Sequence, residues 1–341
     1  MTRITGLLLF ILIVLGSSCK KDQLLTSSDA RIGTSSDSLY FDTLFTQALS
    51  ITQSLRIYNE NDQQIKISSI SLANGNNSVF RINVNGVPGP TLTDIDIAAN
   101  DSIHLFVQTR LPVGNNPQPF IIEDSILVKW NNNSQAIKLS AWGQQARYIK
   151  NGLVAENTTW DNSLPYVVLG PMQIAEQAIL HIEKGARIYC HADALIKVDG
   201  SLEVSGDSAF KDRVIFTGDR LDLPYKNYPA SWPGIYFTKK SHHNSLAYTI
   251  IQNAYQGIIA EGLPPGEEKK IVLEQCIIKN IWDAGLLAIN SSAILNNCLI
   301  ADCGKNVQLV YGGDYQFTHC TLASYSSLYA AHLEPVLFVT D

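Results

Sequence analysis

A pattern of apolar and polar positions recurs at a fixed interval through the second half of the chain. It is LEQCIIKN at 273–280, LNNCLIAD at 295–302 and FTHCTLAS at 317–324, so successive copies begin 22 residues apart. A weaker copy, LAYTIIQN, occupies 246–253. Each repeat contains two further short apolar runs, and three strands per repeat fit one turn of a coiled parallel sheet better than a pair of helices. The pattern predicts that equivalent residues stack at the strand spacing of about 4.8 Å.

Stacking gives each column of the repeat a physical role. Two inward columns are apolar and contain Leu246, Leu273, Leu295 and Phe317, and Ile251, Ile278, Ile300 and Leu322. A third column has small side chains that suit a narrow place in the core, and a fourth has side chains that tolerate left-handed backbone where a strand bends. The structural ladder predicted from these two columns is Thr249, Cys276, Cys298, Cys320, Asn253, Asn280 and Asp302.

The first half of the chain alternates apolar and polar residues with a period of two. Such runs include SLRIYN, QIKISSISL, VFRINVNG, SIHLFV, SILVKW and AIKLSAW, with NG, GNN and NNN between them. Alternation broken by turn sequences of this kind predicts antiparallel strands with one buried face. About seven strands in about a hundred residues favour a β-sandwich over residues 37–143.

The N-terminus has the features of an export signal. A basic residue precedes the apolar run LLLFILIVL at 7–15, which is too short to span a bilayer as a helix, and small residues then lead to Cys19. This resembles a bacterial lipoprotein signal, although Gly16 departs from the usual aliphatic residue; an ordinary signal peptide is the alternative. The resemblance implies a signal peptide over 1–18, lipid attachment at Cys19 and an outer-membrane lipoprotein on the surface or the periplasmic side. The polar stretch 19–36 predicts a flexible tether.

Two further resemblances refine the fold. The strand LRIYN and the closing IKLSAWG resemble cysteine-free immunoglobulin-like domains of surface and cilia-associated proteins. The segments ILHIEKGARIYCHADALIKVDGSLEVSG, RVIFTGD and SWPGIYF resemble, in that order, the opening turns of the pectin-lyase-like family. Together they imply an all-β chain with an immunoglobulin-like β-sandwich over 37–143, a linker over 144–159 and a right-handed parallel β-helix over 160–341.

The C-terminus continues the period of the repeat. Val339 follows Phe317 by 22 residues, so the final VTD would begin a further copy. An uncapped stack would expose its core and unpaired strand edges. We therefore expect either that the sequence is truncated at its C-terminus or that a partner covers the open end.

Composition and cysteine usage exclude several classes of function. The formal net charge is -6 at pH 7, and no basic cluster alternates with aromatic residues, so nucleic acid is not expected as a partner. The sequence has no CxxC or HExxH motif, and we predict neither a metal site nor a cofactor. Core packing explains the cysteine column better than disulfides, because parallel side chains on adjacent turns give poor disulfide geometry.

Candidate catalytic residues are few. His242 and His243 fall in the turn KKSHHNS without an obvious nucleophile, so a solvated turn is the simpler interpretation. Asp199, Asp219 and Asp222 do not match the paired-aspartate motifs of the polygalacturonase branch of the family. We therefore predict no catalytic residue.

The insertion RLDLPYKNYPASW at 220–232 is the richest surface feature. Aromatic faces beside charged groups suit stacking on sugars or anchoring a protein partner. The possible ligand-binding residues are Arg220, Asp222, Tyr225, Tyr228 and Trp232. The alternative is that these aromatic residues cap the edge of a turn.

These features favour a non-catalytic, lipid-anchored protein of the cell envelope. Its membrane contact would be the lipid at Cys19, and its β-helix would present a surface for binding or adhesion to a glycan or a cell-surface protein. The alternative function is a carbohydrate-active enzyme, either a polysaccharide lyase or a glycoside hydrolase, that uses the outer face of the helix.

Overall fold

The computed structural model describes residues 23–46, 50–112, 119–325, 329 and 331–341. Over these residues the chain is all-β, and it divides into two compact units, Met1–Gly143 and Gln144–Asp341. The predicted signal peptide and Cys19 lie outside the described residues. No helix within the described ranges has the length and hydropathy needed to cross a membrane.

The first unit contains two β-sheets. Its strands, in the part of the chain that the structure describes, are β1 Leu24–Leu25, β2 Ile32–Thr34, β3 Ser38–Phe45, β4 Gln53–Asn59, β5 Gln64–Leu72, β6 Phe80–Val84, β7 Val87–Pro88, β8 Thr91–Ile97, β9 Ser102–Thr109, β10 Phe120–Trp130 and β11 Asn133–Gln144. One sheet has the order β1-β5-β10-β11-β3, with β8 also paired to β5, and the other has the order β2-β4-β9-β6-β7. A single 3-10 turn, Gly75–Asn77, follows β5.

Both sheets of the first unit face one core. Ile57 and Leu105 from one sheet and Ile67 and Ile126 from the other belong to the same buried cluster. Burial at every second position confirms the alternation predicted from the sequence, since one side of each strand is removed from water. Strands β10 and β11 are joined by Asn131–Asn132, whose left-handed backbone suits a two-residue hairpin turn.

The structure departs from the predicted tether. Leu24 and Leu25 pair in parallel with the start of β5, and β2 pairs with β4. The indole nitrogen of Trp130 donates to the carbonyl oxygen of Ala30 at 2.9 Å. These strands have two or three residues each, which is too short for a period to show in the sequence, and isolated apolar residues such as Ile32 hold them against the core.

The second unit is a large curled parallel sheet. Its strands among the described residues are β12 Arg147–Lys150, β13 Leu153–Val154, β14 Thr158–Trp160, β15 Tyr166–Leu169, β16 Met172–Ile174, β17 Ile179–Glu183, β18 Arg187–Cys190, β19 Ile196–Val198, β20 Ser201–Ser205, β21 Val214–Gly218, β22 Ile235–Phe237, β23 Asn244–Ala247, β24 Thr249–Gln252, β25 Ile258–Glu261, β26 Ile271–Glu274, β27 Ile277–Asn296, β28 Leu299–Thr318, β29 Thr321–Ala323 and β30 Leu337–Thr340. Two 3-10 turns, Phe210–Asp212 and Tyr225–Asn227, interrupt it.

From β12 to β24, parallel pairing joins each strand to the third strand after it. For example, β17 pairs with β20, β20 with β23 and β23 with β26. Three consecutive strands therefore complete one turn, and each turn stacks on the turn before it. Leu246, Leu273, Leu295 and Phe317 lie in register on successive turns, which confirms the first predicted column. Strands β27 and β28 pair with each other around most of a turn, with 20 residues in each.

The coil begins inside the predicted linker. Strand β12 pairs with β15, so that Arg147 lies opposite Tyr166, and β13 and β14 pair with β16 and β17. The Arg147 guanidinium donates to Asp161 at 3.0 Å and to the hydroxyl of Tyr166. These strands have two to four residues, so they carry no repeat pattern and the sequence resembles a linker.

The last strand does not follow the period of the repeat. Strand β30 pairs with β28, and Val339 lies opposite Leu309. The prediction that Val339 begins a copy above Phe317 is therefore wrong. The reason is a longer connection: Leu299 and Val307 are 8 residues apart, whereas Thr321 and Leu337, their partners on the next turn, are 16 residues apart.

Candidate functional site

The candidate site is built on residues 219–232, which we call the aromatic loop and which connect β21 to β22. Cys190 is paired with Gly218, and this pairing brings His191 and Asp219 together where their two strands end. The loop closes at Trp232, which is 1% exposed and donates from Nε1 to the carbonyl oxygen of Gln252 at 2.9 Å. Trp232 therefore anchors the loop in the core and cannot offer its ring to a ligand, so it is not a ligand-binding residue, and its position fits the alternative that it caps the edge of a turn.

Arg220 and Asp222 form a bidentate ion pair near the start of the aromatic loop. Nε of Arg220 donates to Oδ1 of Asp222 at 2.7 Å, and Nη2 donates to Oδ2 at 2.8 Å. The hydrogen bonds to Asp222 raise the pKa of Arg220. The guanidinium carbon lies 4.0 Å from the centroid of the Tyr225 ring. Asp222 thus holds a flat cation over an aromatic face, an arrangement stabilised by cation–π attraction.

Three tyrosine rings continue from this cation and form what we call the aromatic row. The centroids of Tyr225 and Tyr228 are 5.4 Å apart, and those of Tyr228 and Tyr329 are 4.6 Å apart. Tyr225 is 44% exposed and Tyr329 is 45% exposed. Packing against neighbouring rings restricts each side chain while part of its area remains in water. Rigid, partly exposed aromatic rings of this kind provide contact area for a ligand at low entropic cost.

His191 and Asp219 form a second charged pair beside the aromatic loop. Nδ1 of His191 lies 2.7 Å from Oδ2 of Asp219, and the two side chains are 51% and 17% exposed. Such a contact fixes the orientation of the imidazole ring and leaves Nε2 for solvent or a ligand. Burial, together with the charge of Asp219, raises the pKa of Tyr148, which shows that this tyrosine lies within the field of the pair.

The asparagine column of the repeat holds the aromatic loop in place. Asn253 and Asn280 have φ angles of 65° and 54°, as expected for side chains at a strand bend. The side-chain nitrogen of Asn253 donates to the carbonyl oxygen of Lys226 at 2.8 Å, and that of Asn280 donates to the carbonyl oxygen of Asn227 at 2.9 Å. Asn280 also donates to Oδ1 of Asn253 at 2.8 Å. Asp302 continues the column on the next turn, with a φ of 53°.

The cysteine column packs inside the coil. Cys276, Cys298 and Cys320 are free thiols on successive turns, and their sulfur atoms donate to the carbonyl oxygens of leucines one turn earlier, with Cys320 at 3.3 Å. Thr249, one turn before Cys276, is fully buried. The hydrogen bond with Cys276 and burial both raise the pKa of Cys298. Burial also raises the pKa of Cys320, so Cys298 and Cys320 are protonated packing groups and not nucleophiles.

Asp199 is a structural carboxylate. It accepts hydrogen bonds from Thr238 at 2.7 Å and Gln173 at 2.5 Å, and the ammonium of Lys197 lies 3.1 Å away. Burial alone would raise the pKa of Asp199, but the hydrogen bonds from these three residues hold it below its ordinary value. A carboxylate held in its ionised form cannot serve as the general acid that cleavage of a glycosidic bond requires.

The histidine pair has local partners. Nδ1 of His243 lies 2.6 Å from Oε2 of Glu268, and the hydroxyl of Ser201 donates to the carbonyl oxygen of His242 at 2.7 Å. These contacts join neighbouring turns of the chain. Over the described residues, no group of three or more His, Cys, Asp and Glu side chains is arranged to hold a metal ion.

Sequence reasoning identified Arg220, Asp222, Tyr225 and Tyr228, and the structure brings these four together in the aromatic loop. It missed His191 and Tyr329. The first could have been found by aligning the ends of the strands RIYC and VIFTG, since His191 and Asp219 directly follow them. Tyr329 lies in the apolar run SLYAA, which the repeat aligns with NVQLV, so the sequence favours a strand at this position and gives no signal of a binding residue.

Comparison with known proteins gives no family assignment. No family model and no curated protein matches the chain. Among solved structures, the chain is similar to a family 123 glycoside hydrolase from Clostridium perfringens at 10% identity, with a TM-score of 0.25 over 33% of this chain and 25% of that one. It is similar to the catalytic unit of a GH87 alpha-1,3-glucanase from Streptomyces thermodiastaticus at 12% identity, with a TM-score of 0.19 over 84% of this chain and 67% of that one.

A third similar structure is a protein of unknown function from Porphyromonas gingivalis, at 10% identity and a TM-score of 0.25 over 36% of this chain and 58% of that one. The chain therefore spans well under two thirds of the length of the Clostridium and Porphyromonas proteins. Similarities with TM-scores this low show nothing about activity, which depends on the residues of the site.

Proposed function

We propose that this chain is a lipid-anchored protein of the bacterial cell envelope that binds a glycan without cleaving it. The sequence pattern ending at Cys19 supports the lipid anchor and an outer-membrane location. Two sheets around one core support an immunoglobulin-like sandwich in the first unit. Pairing of every third strand supports a right-handed parallel β-helix of the pectin-lyase-like type in the second.

The single observation that carries the binding function is the aromatic row beside the Arg220–Asp222 pair. Tyr225 offers a partly exposed ring whose position is set by Arg220 at 4.0 Å and by Tyr228 at 5.4 Å. Sugar rings combine weakly polar C–H faces with many hydroxyl groups, so they suit an aromatic face bordered by fixed hydrogen-bonding groups. The asparagine column keeps the loop backbone in one conformation before the ligand arrives, which reduces the entropic cost of binding.

A carbohydrate-active enzyme is the second candidate function, and the His191–Asp219 pair is the observation that favours it. A histidine oriented through Nδ1 by a carboxylate at 2.7 Å can accept a proton at Nε2. Opposing this, Asp222 has both oxygens bound to Arg220, and Asp199 is held ionised. The hydrogen-bonding pattern therefore supports binding over catalysis.

The test is a glycan array probed with the full chain, followed by titration of the oligosaccharides that bind. Replacing Tyr225 with alanine removes the ring beneath Arg220, and we expect affinity to fall at least about tenfold, because a well-packed aromatic contact contributes more than about 1.4 kcal/mol. Tyr40→Ala, which removes an exposed tyrosine from the first unit, is the matched control and should leave affinity unchanged.

Reducing-end release from the same oligosaccharides separates the two candidate functions. Binding without release of reducing ends supports the proposal. Release that disappears in His191→Asn would replace it with the enzyme, and absence of binding to any glycan on the array would rule out both readings of the loop.

A further inference from the structure

Three charged groups of the aromatic loop are paired within the chain. Asp219 contacts His191 at 2.7 Å, and Asp222 contacts Arg220 at 2.7 and 2.8 Å. Asp193, on the turn before Asp219, adds a further carboxylate near the same strand ends and accepts a backbone hydrogen bond at 3.2 Å.

The ion pair with Asp222 occupies donors of Arg220 that an acidic sugar would need. Carboxylates and sulfates are usually recognised by the forked donors of an arginine. In Arg220 the edge formed by Nε and Nη2 is occupied, since both nitrogens donate to Asp222, and one flat face covers Tyr225. An acidic sugar would have to displace Asp222 from this edge or bind at the Nη1 edge, and in either position the Asp222 carboxylate would lie near the negative charge of the sugar. Both arrangements cost free energy.

The groups that remain suit a different ligand. Each carboxylate oxygen has two lone pairs, so Asp219 and Asp222 can accept further hydrogen bonds beside those to His191 and Arg220, and sugar hydroxyls and ammonium groups donate such bonds. The tyrosine faces of the aromatic row attract C–H groups and cations and repel anions, because the face of an aromatic ring is negative. The net charge of the chain, -6, acts in the same direction at long range.

We propose that the aromatic loop selects glycan chains that carry no acidic groups, and that it excludes polyuronates. This inference rests on the proposed glycan-binding function and specifies its ligand class. It is the opposite of what likeness to pectin lyases would suggest, because the selectivity comes from the Arg220–Asp222 pair and not from the fold.

The test uses three hexasaccharides of equal length titrated into the full chain: N-acetylglucosamine, glucosamine and galacturonic acid oligomers. We expect the galacturonic acid oligomer to bind at least about tenfold more weakly than either of the others at low ionic strength. The weak affinity for this oligomer should increase with salt, because salt screens repulsion between like charges.

Asp222→Asn tests the role of the ion pair, because it removes the charge that holds the Arg220 fork. We expect this variant to bind the galacturonic acid oligomer more tightly than wild type, so that the ratio of the affinities for the N-acetylglucosamine and galacturonic acid oligomers falls at least about threefold. Asp37→Asn, in the first unit, controls for net charge. If Asp222→Asn fails to fold, as judged by circular dichroism, the order of affinities and the salt dependence of the wild-type chain decide.

The outcomes separate this inference from the function on which it rests. Preferential binding of the galacturonic acid oligomer by the wild-type chain would overturn the inference and leave glycan binding intact. Failure of all three oligomers and of the wider array to bind would overturn the function itself.

Discussion

The two units bury their apolar residues by different arrangements of the same strand type. In the first unit, neighbours come from different sequence contexts: Ile126 lies opposite Ile137 across a hairpin, while Ile57 lies opposite Ile103 from a distant strand. In the second unit, Leu273 and Leu295 are neighbours because they hold the same position on successive turns. Each core position of the first unit therefore has its own set of neighbours, whereas the second unit repeats one packing arrangement on successive turns. A substitution in the core of the second unit should disturb mainly the turns directly above and below it.

In the second unit, glycines stack where the backbones of adjacent turns approach closely, whereas the closest contacts at Gly33 and Gly143 of the first unit are with side chains. Gly257 and Gly285 stack on adjacent turns, and a Cβ atom on Gly257 would overlap the carbonyl oxygen of Gly285. A Cβ atom on Gly285 would lie 2.7 Å from the carbonyl oxygen of Asn306. In the first unit, a Cβ atom on Gly89 would meet Thr91 at an ordinary 3.4 Å. The coil thus has positions where no side chain fits at all.

The largest expected effect is that of Gly257→Ala. The added methyl group must push two turns apart, and we expect the free energy of unfolding to fall by about 4 kcal/mol or more, since strain against backbone cannot be relieved by a rotamer change. Gly89→Ala should change it by less than about 1 kcal/mol. Urea unfolding of the full chain, followed by circular dichroism, measures both. Equal effects of the two substitutions would contradict the tight approach of the turns.

A buried cation provides the second contrast between the units. Lys270 is 0% exposed, and its ammonium donates to the carbonyl oxygens of Thr238 at 2.7 Å, Lys239 at 3.3 Å and Ser241 at 2.8 Å. The side chain of Lys66, in the first unit, is 42% exposed, and its ammonium lies 3.9 Å from Asp96. The ammonium of Lys270 fills a cage of carbonyl oxygens, whereas that of Lys66 lies at the surface.

Lys270→Met should destabilise the chain by about 3 kcal/mol, because three buried carbonyl oxygens lose their donor. Lys66→Met should have an effect within about 0.5 kcal/mol. The measurement is again urea unfolding at neutral pH. A Lys270→Met chain as stable as the wild type would show that the carbonyl cage does not depend on its cation.

The pH dependence of stability gives a separate test of the same lysine. Burial lowers the pKa of Lys270 from 10.5 to about 8. Between these two values the unfolded chain binds the proton and the folded chain does not, so the free energy of unfolding should rise as the pH rises from about 8 to about 10.5. This contribution should be absent from Lys270→Met. Urea titrations of both proteins at pH 7.5 and pH 9.5 would show it as a difference between their pH profiles.

The contrast between the units also explains what could be predicted from the sequence. The columns containing Leu273 and Asn280 were predictable because stacking imposes the same physical demand once per turn, and 22-residue spacing makes that demand visible. The partners of Lys270 were not predictable, because backbone carbonyls carry no sequence signal. The sequence could not show whether Trp232 is buried or exposed either, since an aromatic residue in an insertion can contact a ligand or pack in the core.

Short strands and irregular segments account for the remaining differences. Leu24–Leu25 and Leu153–Val154 pair within sheets, but two residues cannot show a period, and both were expected in connecting segments. For the ion pair between Arg220 and Asp222, the sequence identified the two residues as candidates for the site. It did not predict that their side chains contact each other. Site chemistry depends on such angles and distances, which periodicity does not encode.

The smallest expected effect compares two asparagines with left-handed backbone, Asn280 in the coil and Asn132 in the hairpin of the first unit, with φ angles of 54° and 65°. Glycine relieves the backbone strain at both positions. Asn280→Gly also removes hydrogen bonds to Asn227 and Asn253, so we expect a net loss of about 1 kcal/mol and faster hydrogen exchange in the aromatic loop. Asn132→Gly should be neutral or slightly stabilising, because glycine favours two-residue hairpin turns. Equal changes in stability, with unaltered exchange in the aromatic loop, would mean that the asparagine column serves the backbone bend alone and does not position the loop.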